Sequence, residues 1–457
     1  MSLLERREQI ARSLGRETWS AILSVTAIAT GLALWLALGF PLLVLPVLLA
    51  GGFFILLTLH SPSVGLLAVV AVQYLPIEVG TVSVFQLVGS SVAVLSLISY
   101  GISRRGFVFP SVLLPILFFM FHALYSITFT HDAALTQYMV RKLVFNGVFC
   151  LLLANLIDDM KKLRGLLWTV VIMGIANSLA ATSQFVGGRS IEARAQGLLE
   201  NENGLGELAA LSLVISLYFF FYADRRWKRA VGLGLCVLLG FGVIASISRG
   251  AVLSLLAGLA AVLLRESGKR LRLVFVAALA LLALPYFPES FFHRFRNIAQ
   301  DLRGTVTLSQ RVGLTSRGYY NKAGIKIWKA HPVLGVGLGN YGSYYIRPEF
   351  NPGIRGRRTL PPHNIYIQAL AETGVLGFTA LCGWILLAVW DYLKAERTKL
   401  KEGAHRWPVR ASETLTIVAL VMYFSSGSLV YTNFAMVLTL GYICRRCMEK
   451  EQTSSLE

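Results

Sequence analysis

Apolar residues in this chain come in long unbroken blocks, not in alternating pairs or narrow helical stripes. The blocks run for roughly 17 to 22 residues, the length at which a helix rising ~1.5 Å per residue covers about 30 Å of hydrocarbon. Hydrocarbon offers backbone amides no water, so each block is expected to be a helix; the short alternating segments of an outer-membrane barrel are missing. The pattern predicts spans at 20–38, 41–59, 64–79, 84–101, 108–128, 138–157, 165–186, 205–222, 230–247, 250–264, 272–287, 364–390, 411–427 and 429–445. Ser425, Ser426, Gly427 and Ser428 interrupt the last pair, where one reentrant hairpin would lower the number of spans from fourteen to twelve. The fold class is therefore an all-α polytopic membrane protein of about 12–14 transmembrane helices.

Composition agrees: 55% of the 457 residues are hydrophobic and 15% charged, a balance that a soluble core of this size does not need. The formal net charge of +19 would suit nucleic acid, but the basic residues gather at the ends of apolar blocks instead of on a soluble face. They fix orientation. Short loops rich in Lys and Arg prefer the cytoplasm, and an inside N-terminus puts Arg104/Arg105, Lys161/Lys162/Arg164, Arg225/Arg226/Lys228/Arg229, Arg265/Lys269/Arg270/Arg272, the Lys394–Arg410 stretch and Arg445/Arg446/Lys450 all on that side. Arg6, Arg7, Arg12 and Arg16 precede the first block without a small-residue cleavage site after it, so the first helix is expected to be retained. The five cysteines show neither a disulfide framework nor metal-ligand spacing.

The outer connections are then 130–141, 187–204, the 246–250 turn and one long segment, which divides the chain into helices at 1–287, an extramembrane segment at 288–362 and C-terminal helices at 363–457. Residues 288–362 carry twelve Lys/Arg against Glu289, Asp301 and Glu349, a net of +9 that should attract anions. Within it Tyr320, Ala323, Ile327 and Trp328 share one helical face, with Lys322, Lys326 and Lys329 over the rest. Such a helix either lies on the membrane or caps the bundle, or is a solvated helix with a packing stripe.

Three outer helix mouths concentrate polar chemistry: Arg194 within 194–203, Arg249 within 246–250 and His363 within 361–364. A guanidinium between two apolar helices wants an anionic partner, although a snorkelling or carboxylate-paired arginine is the structural alternative. His363 can take or orient a hydroxyl proton, or it can simply cap its helix. Glu372 lies about 900° of helical rotation and some 13 Å further on, so it is not expected to pair with His363. GlyValGlyLeuGly at 335–339 follows no strand and reads as turns, not as a nucleotide loop. Glu200 and Glu202, beside Asn201 and Asn203, are the sole external carboxylate pair, so a metal site is disfavoured and no cofactor is implied. The charges are expected to stop at the membrane rims, which argues against a flippase or transporter with ionisable groups at the midplane.

HisProValLeuGlyValGlyLeuGlyAsnTyr (331–341) and HisAsnIleTyrIleGlnAlaLeuAlaGluThrGlyValLeuGly (363–377) resemble segments of the O-antigen ligase and O-antigen polymerase superfamily of bacterial membrane glycosyltransferases. ArgAlaGlnGlyLeuLeuGluAsnGluAsn (194–203) and SerArgGly (248–250) resemble two further segments in the right order, so the likeness covers about 165–390. It implies a GT-C-like architecture in the bacterial inner membrane, with the active site facing the periplasm. It also implies an undecaprenyl-diphosphate-linked glycan donor, an inverted anomeric centre and no metal. Arg194, Arg249 and Arg317 would hold the diphosphate, and Arg194, Arg249 and His363 would serve catalysis. The acceptor is lipid A–core for a ligase or another lipid-linked glycan for a polymerase, with the basic 288–362 segment favouring the former.

Overall fold

The computed structural model describes residues 44–79, 82–104, 106–186, 194–266, 268, 317–351, 362–397 and 406–454. The expected spans 20–38 and 272–287, and Arg105 and Arg270, lie outside these residues. The chain divides into two compact units, Met1–Ser61 and Pro62–Glu457. The first contains the described helix α1 (Val44–His60). The second holds every other described element.

Its helices are α2 (Pro62–Val72), α3 (Val84–Ile102), α4 (Leu114–Ser126), α5 (Ala133–Leu156), α6 (Met160–Val186), α7 (Glu202–Tyr222), α8 (Arg226–Ala245), α9 (Arg249–Arg265), α10 (Arg317–Ala330), α11 (Tyr341–Tyr345), α12 (Ile365–Arg397), α13 (Trp407–Met422) and α14 (Thr432–Ser454). Six described helices (α3, α5, α6, α7, α8 and α12) are long and apolar enough to cross a membrane. The protein is an all-α polytopic membrane protein; among the described residues the exception is a short antiparallel hairpin, β1 (Glu78–Val79) with β2 (Val82–Ser83). That hairpin corrects the reading of 64–79 as one span: α2 ends at Val72 and the chain turns at Tyr74–Pro76.

Helix α7 is the centre of the unit. It is apolar almost all round and buried almost all round, as a helix without a polar stripe must be. Small residues let its neighbours approach: a Cβ on Gly232 of α8 would meet the Phe220 backbone, and one on Gly174 of α6 would meet Ser212. Polar bonds cross between helices as well, Ser212 Oγ donating to the Val170 carbonyl at 3.0 Å and Tyr218 pairing with Thr414 at 2.9 Å.

One end of the unit is basic and laced with ion pairs. Arg265 pairs with Glu396 and Glu413, Arg410 with Glu266, and Arg445 Nε with Asp391 at 2.8 Å. Asp158 bridges Lys162 at 2.5 Å and Lys450 at 3.0 Å. Burial raises the Asp158 pKa, but the two ammoniums outweigh it and hold the carboxyl below its usual range. These contacts settle the last helices too. Arg410 sits at this end while Tyr423, just past α13, meets α12 and α7 at the other; α14 starts near Glu207 and ends beside Ala154 and Asp158. Both therefore run the full length, and Ser425–Ser428 lie in the loop between them, not in a reentrant hairpin.

The end opposite the basic one holds the residues of interest. Helix α10 packs Tyr320, Ala323 and Ile327 inward beside Tyr341 and Tyr345 and leaves Lys322, Lys326 and Lys329 exposed. It therefore caps the bundle. Burying a tyrosine- or isoleucine-sized side chain contributes about 1.5–3 kcal/mol, enough to hold a short helix that would be marginal alone.

Candidate functional site

Helix α12 is broken near its start. Gly374 has φ 64° and ψ −164°, a conformation essentially restricted to glycine. In an unbroken helix the carbonyls of Ala371 and Glu372 would accept from Val375 and Leu376 N–H. Here they accept instead from Val336 N (3.1 Å) and Gly337 N (2.9 Å), while Val375 N and Leu376 N donate to the carbonyls of Pro332 (2.9 Å) and Val333 (3.4 Å). The loop 332–341 thus stitches the break and satisfies these four backbone groups. A Cβ at Gly374 would strike the Val333 carbonyl, and one at Gly335 (φ 68°) would lie 2.5 Å from the Glu372 carbonyl oxygen, so both positions require glycine. GlyValGlyLeuGly is a set of turns built to fit a kink.

Glu372 completes the seam. Only 1% exposed, its carboxyl accepts from Gly339 N at 2.9 Å, Tyr341 N at 3.3 Å and Gln368 Nε2 at 3.0 Å. The Gln368 carbonyl oxygen in turn accepts from Leu429 N at 3.2 Å. Its role is structural, as the helical rotation away from His363 implies. Glu372 and Glu207 are both buried carboxylates within the first three turns of their helices.

Arg194 and the turn before Arg249 form one assembly. Arg194 Nε donates to the Ser246 carbonyl at 2.9 Å, a terminal nitrogen donates to Asn203 Oδ1 at 2.9 Å, and the other pairs with Glu202 at 3.2 Å. Asn203 Oδ1 also accepts from Ser248 Oγ at 3.1 Å, and Ala195 N bonds the Ala245 carbonyl at 3.0 Å. Inside this cage Ile247 is buried with φ 47°, a genuine outlier for a β-branched residue. Such strain costs about 1–3 kcal/mol and persists only where surroundings over-determine it. The strained turn delivers Arg249, half-buried, to the first residue of α9, with Ser248 as N-cap. A cation sits there at the positive end of a helix dipole, so dipole and guanidinium both favour an anion.

His363 stands on a second left-handed residue (φ 51°), half-buried, its ring 6.0 Å from that of Tyr320 on α10. Asn364 accepts from Tyr366 N and Ile367 N and so starts α12. Ile365 N donates to the Tyr423 carbonyl at 3.0 Å, and Gly250 lies against Ser425 two residues on. The 423–425 turn therefore joins the α12 mouth that bears His363 to the α9 mouth that bears Arg249. Arg194, Arg249 and His363 share one end of the molecule, while Arg226 lies at the basic end. Arg317 begins α10, but its side chain lies outside the described residues. Glu202 is engaged by Arg194, and among the described residues no group of three or more His, Cys, Asp or Glu has metal-binding geometry.

The partners that aim the arginines were not legible singly: Asn203, Ser246, Ser248 and Tyr423 carry no charge to flag them. Glu207 did carry a signal, a carboxylate inside an apolar block, which marks a functional candidate by default. Its Oε1 accepts from Tyr423 OH at 2.5 Å and Asn433 Nδ2 at 3.2 Å.

Comparison with known proteins adds two findings. Over 219 residues the chain is 27% identical to the exopolysaccharide production protein ExoQ of Rhizobium meliloti (strain 1021), a match that covers 43% of this chain and 46% of that protein, so less than half of the relative's length is spanned. Residues 234–382, which run from the middle of α8 past the stitched kink, match the family model described as O-antigen ligase. That matched segment, which takes in Arg249 on its strained turn and His363 at the mouth of a helix broken and restitched by its own glycine loop, is similar to the O-antigen ligase domain, and the distant exopolysaccharide relative points to the same superfamily.

Proposed function

We propose that the chain is a glycosyltransferase of the bacterial inner membrane that passes a glycan from undecaprenyl diphosphate to a hydroxyl of lipid A–core on the periplasmic face. The observation that supports this most is Arg249, offered by a strained turn at a helix N-terminus where guanidinium, helix dipole and the neighbouring Arg194 all favour one polyanion. In the reaction the acceptor oxygen attacks the anomeric carbon from the face opposite the diphosphate. The carbon–oxygen bond to the diphosphate breaks, and its electron pair leaves with that group. Arg249 and the first N–H groups of α9 stabilise the charge that develops there, the task a metal would otherwise perform. Arg194 acts mainly by holding the turn, its charge partly balanced by Glu202. Arg317, at the start of α10, adds a further guanidinium for the diphosphate. His363 takes the acceptor's proton.

A second reading, a polymerase that joins lipid-linked repeat units, draws on the exopolysaccharide production protein among the relatives. Purified protein incubated with lipid-linked glycan from the producing cells, with or without lipid A–core, separates the two. Glycosylated lipid A–core supports the ligase, and longer lipid-linked chains formed without it support the polymerase. Neither product would sink both.

A further inference from the structure

Beside the arginine assembly lies a cleft of about 470 Å³, within the roughly 300–1,000 Å³ common for small-ligand sites. The β1–β2 hairpin and the 73–76 turn form one wall, the start of α7 another, and the 426–433 loop a third. Every described residue that lines it falls outside the matched segment 234–382. Its chemistry differs from that of the Arg249 mouth: among the described residues no arginine lines it, and Glu78, Glu200 and Glu207 outnumber Lys142. Such a lining repels phosphate. Amide and phenol groups supply the rest, among them Gln73, Asn201, Asn433 and Tyr74.

The polar groups are only partly used. Gln73 Nε2 donates to Asn433 Oδ1 at 3.1 Å, and Asn433 donates on to Glu207. Both described bonds to Glu207 go to Oε1, which leaves Oε2 to accept from a ligand. The hydroxyl of Tyr74, a residue only 2% exposed, lies against the Gln73 side chain, but neither it nor Gln73 Oε1 makes a hydrogen bond of good geometry among the described residues. A buried phenol left so is costly unless something else completes it. Tyr431, by contrast, is exposed and offers an aromatic face at the rim.

We infer that this cleft is a carbohydrate-binding subsite: it takes a neutral sugar whose vicinal hydroxyls donate to Glu207 and Gln73 and accept from Tyr74. Mixed acceptors and donors without net positive charge match a polyol and mismatch both a diphosphate and an acyl chain. Asn203 lines the cleft and also binds Arg194, so the sugar lies next to the proposed diphosphate site. The inference deepens the glycosyltransferase reading and rests on it for the sugar's role. It also implies that sugar selection resides outside the domain shared with the family.

The test uses full-length protein in nanodiscs and two probes: bare undecaprenyl diphosphate, and soluble oligosaccharide released by mild acid from the lipid-linked glycan of the producing cells. Wild type should bind the oligosaccharide. Tyr74→Phe and Gln73→Ala should each weaken it about 2- to 10-fold, the worth of one hydrogen bond, with unchanged affinity for the bare lipid and unchanged melting. Competition between the oligosaccharide and intact lipid-linked glycan would assign the cleft to the donor sugar, and simultaneous binding to the acceptor sugar; either supports a sugar site. No oligosaccharide binding by wild type, or undiminished binding by both variants, overturns it. Bare-lipid binding that ignores Arg249→Ala would instead refute the diphosphate reading and leave the sugar result standing.

Discussion

Glu372→Ala tests whether the stitched kink is held from the side-chain level. The substitution removes the acceptor of three donors: Gly339 N–H, Tyr341 N–H and the Gln368 amide. Gly339 is partly accessible and can turn to water, whereas Tyr341 and Gln368 are buried. Two buried donors without partners cost about 1–3 kcal/mol each. Relief of the buried carboxyl's own desolvation offsets part of that, so a net loss of about 2–4 kcal/mol for the seam is expected. Several such helices do not unfold as one two-state unit, so the loss should be read locally. At about 1.4 kcal/mol per tenfold, amide exchange in a 332–341 peptide should accelerate roughly 30- to 1,000-fold, with α7 unaffected. Glu372→Gln keeps one acceptor oxygen and should fall between wild type and Glu372→Ala. The measurement is hydrogen–deuterium exchange of the detergent-solubilised protein. Unchanged protection of 332–341 in Glu372→Ala would show that the backbone exchange alone holds the break, and the reasoning would fail.

Gly374→Ala forces a Cβ into the Val333 carbonyl at a glycine-only conformation, so it should cost at least the ~1–3 kcal/mol of that strain and reduce folded yield on size-exclusion chromatography more than Gly383→Ala, which meets nothing. His363→Ala should slow single-turnover transfer about 10²- to 10⁴-fold with donor affinity nearly unchanged, whereas Arg249→Ala should weaken both donor binding and turnover, and Arg249→Lys should restore them only in part. Loss of donor binding in His363→Ala but not in Arg249→Ala would reverse these roles. Impermeant thiol labelling of intact cells, in a variant cleared of native cysteines, should reach single cysteines at 194, 249 and 363 but not at 226; label at 226 would invert the proposed orientation.

Hydropathy revealed the helices because burial in lipid demands a local signal, a sustained apolar run. It singled out the charged candidate residues for a similar reason, since an arginine at a helix mouth stands out against Leu and Val. The break in α12 gives no such signal. Residues 364–390 read as one apolar block because the groups that complete it, Pro332 to Tyr341, lie some thirty residues away in sequence. The 64–79 block reads as one span for the opposite reason: Pro76 and the polar Gln73 and Glu78 signal a turn locally, but the valines and leucines around them keep the window apolar. Glu207 was visible but unused, because a carboxylate two residues inside a predicted span passes for a boundary error.

The shared domain and the rest of the chain divide the work in a physically sensible way. A transfer step needs its charged groups fixed before charge develops, since reorganisation during the reaction raises the barrier. The strained Ile247 turn and the restitched kink at Gly374 of α12 supply such fixity, and both lie within 234–382. Yet the strained turn is not self-sufficient: Arg194 and Asn203, which clasp it, lie outside the match. Asn203 also lines the sugar cleft, so a change of sugar that demands a different residue at 203 would loosen the turn that presents Arg249. Asn203→Ala should accordingly lower donor-diphosphate affinity as well as sugar affinity, whereas Tyr74→Phe, which touches only the cleft, should lower the second alone. Equal behaviour of the two variants toward bare undecaprenyl diphosphate would mean that cleft and turn are not coupled through Asn203.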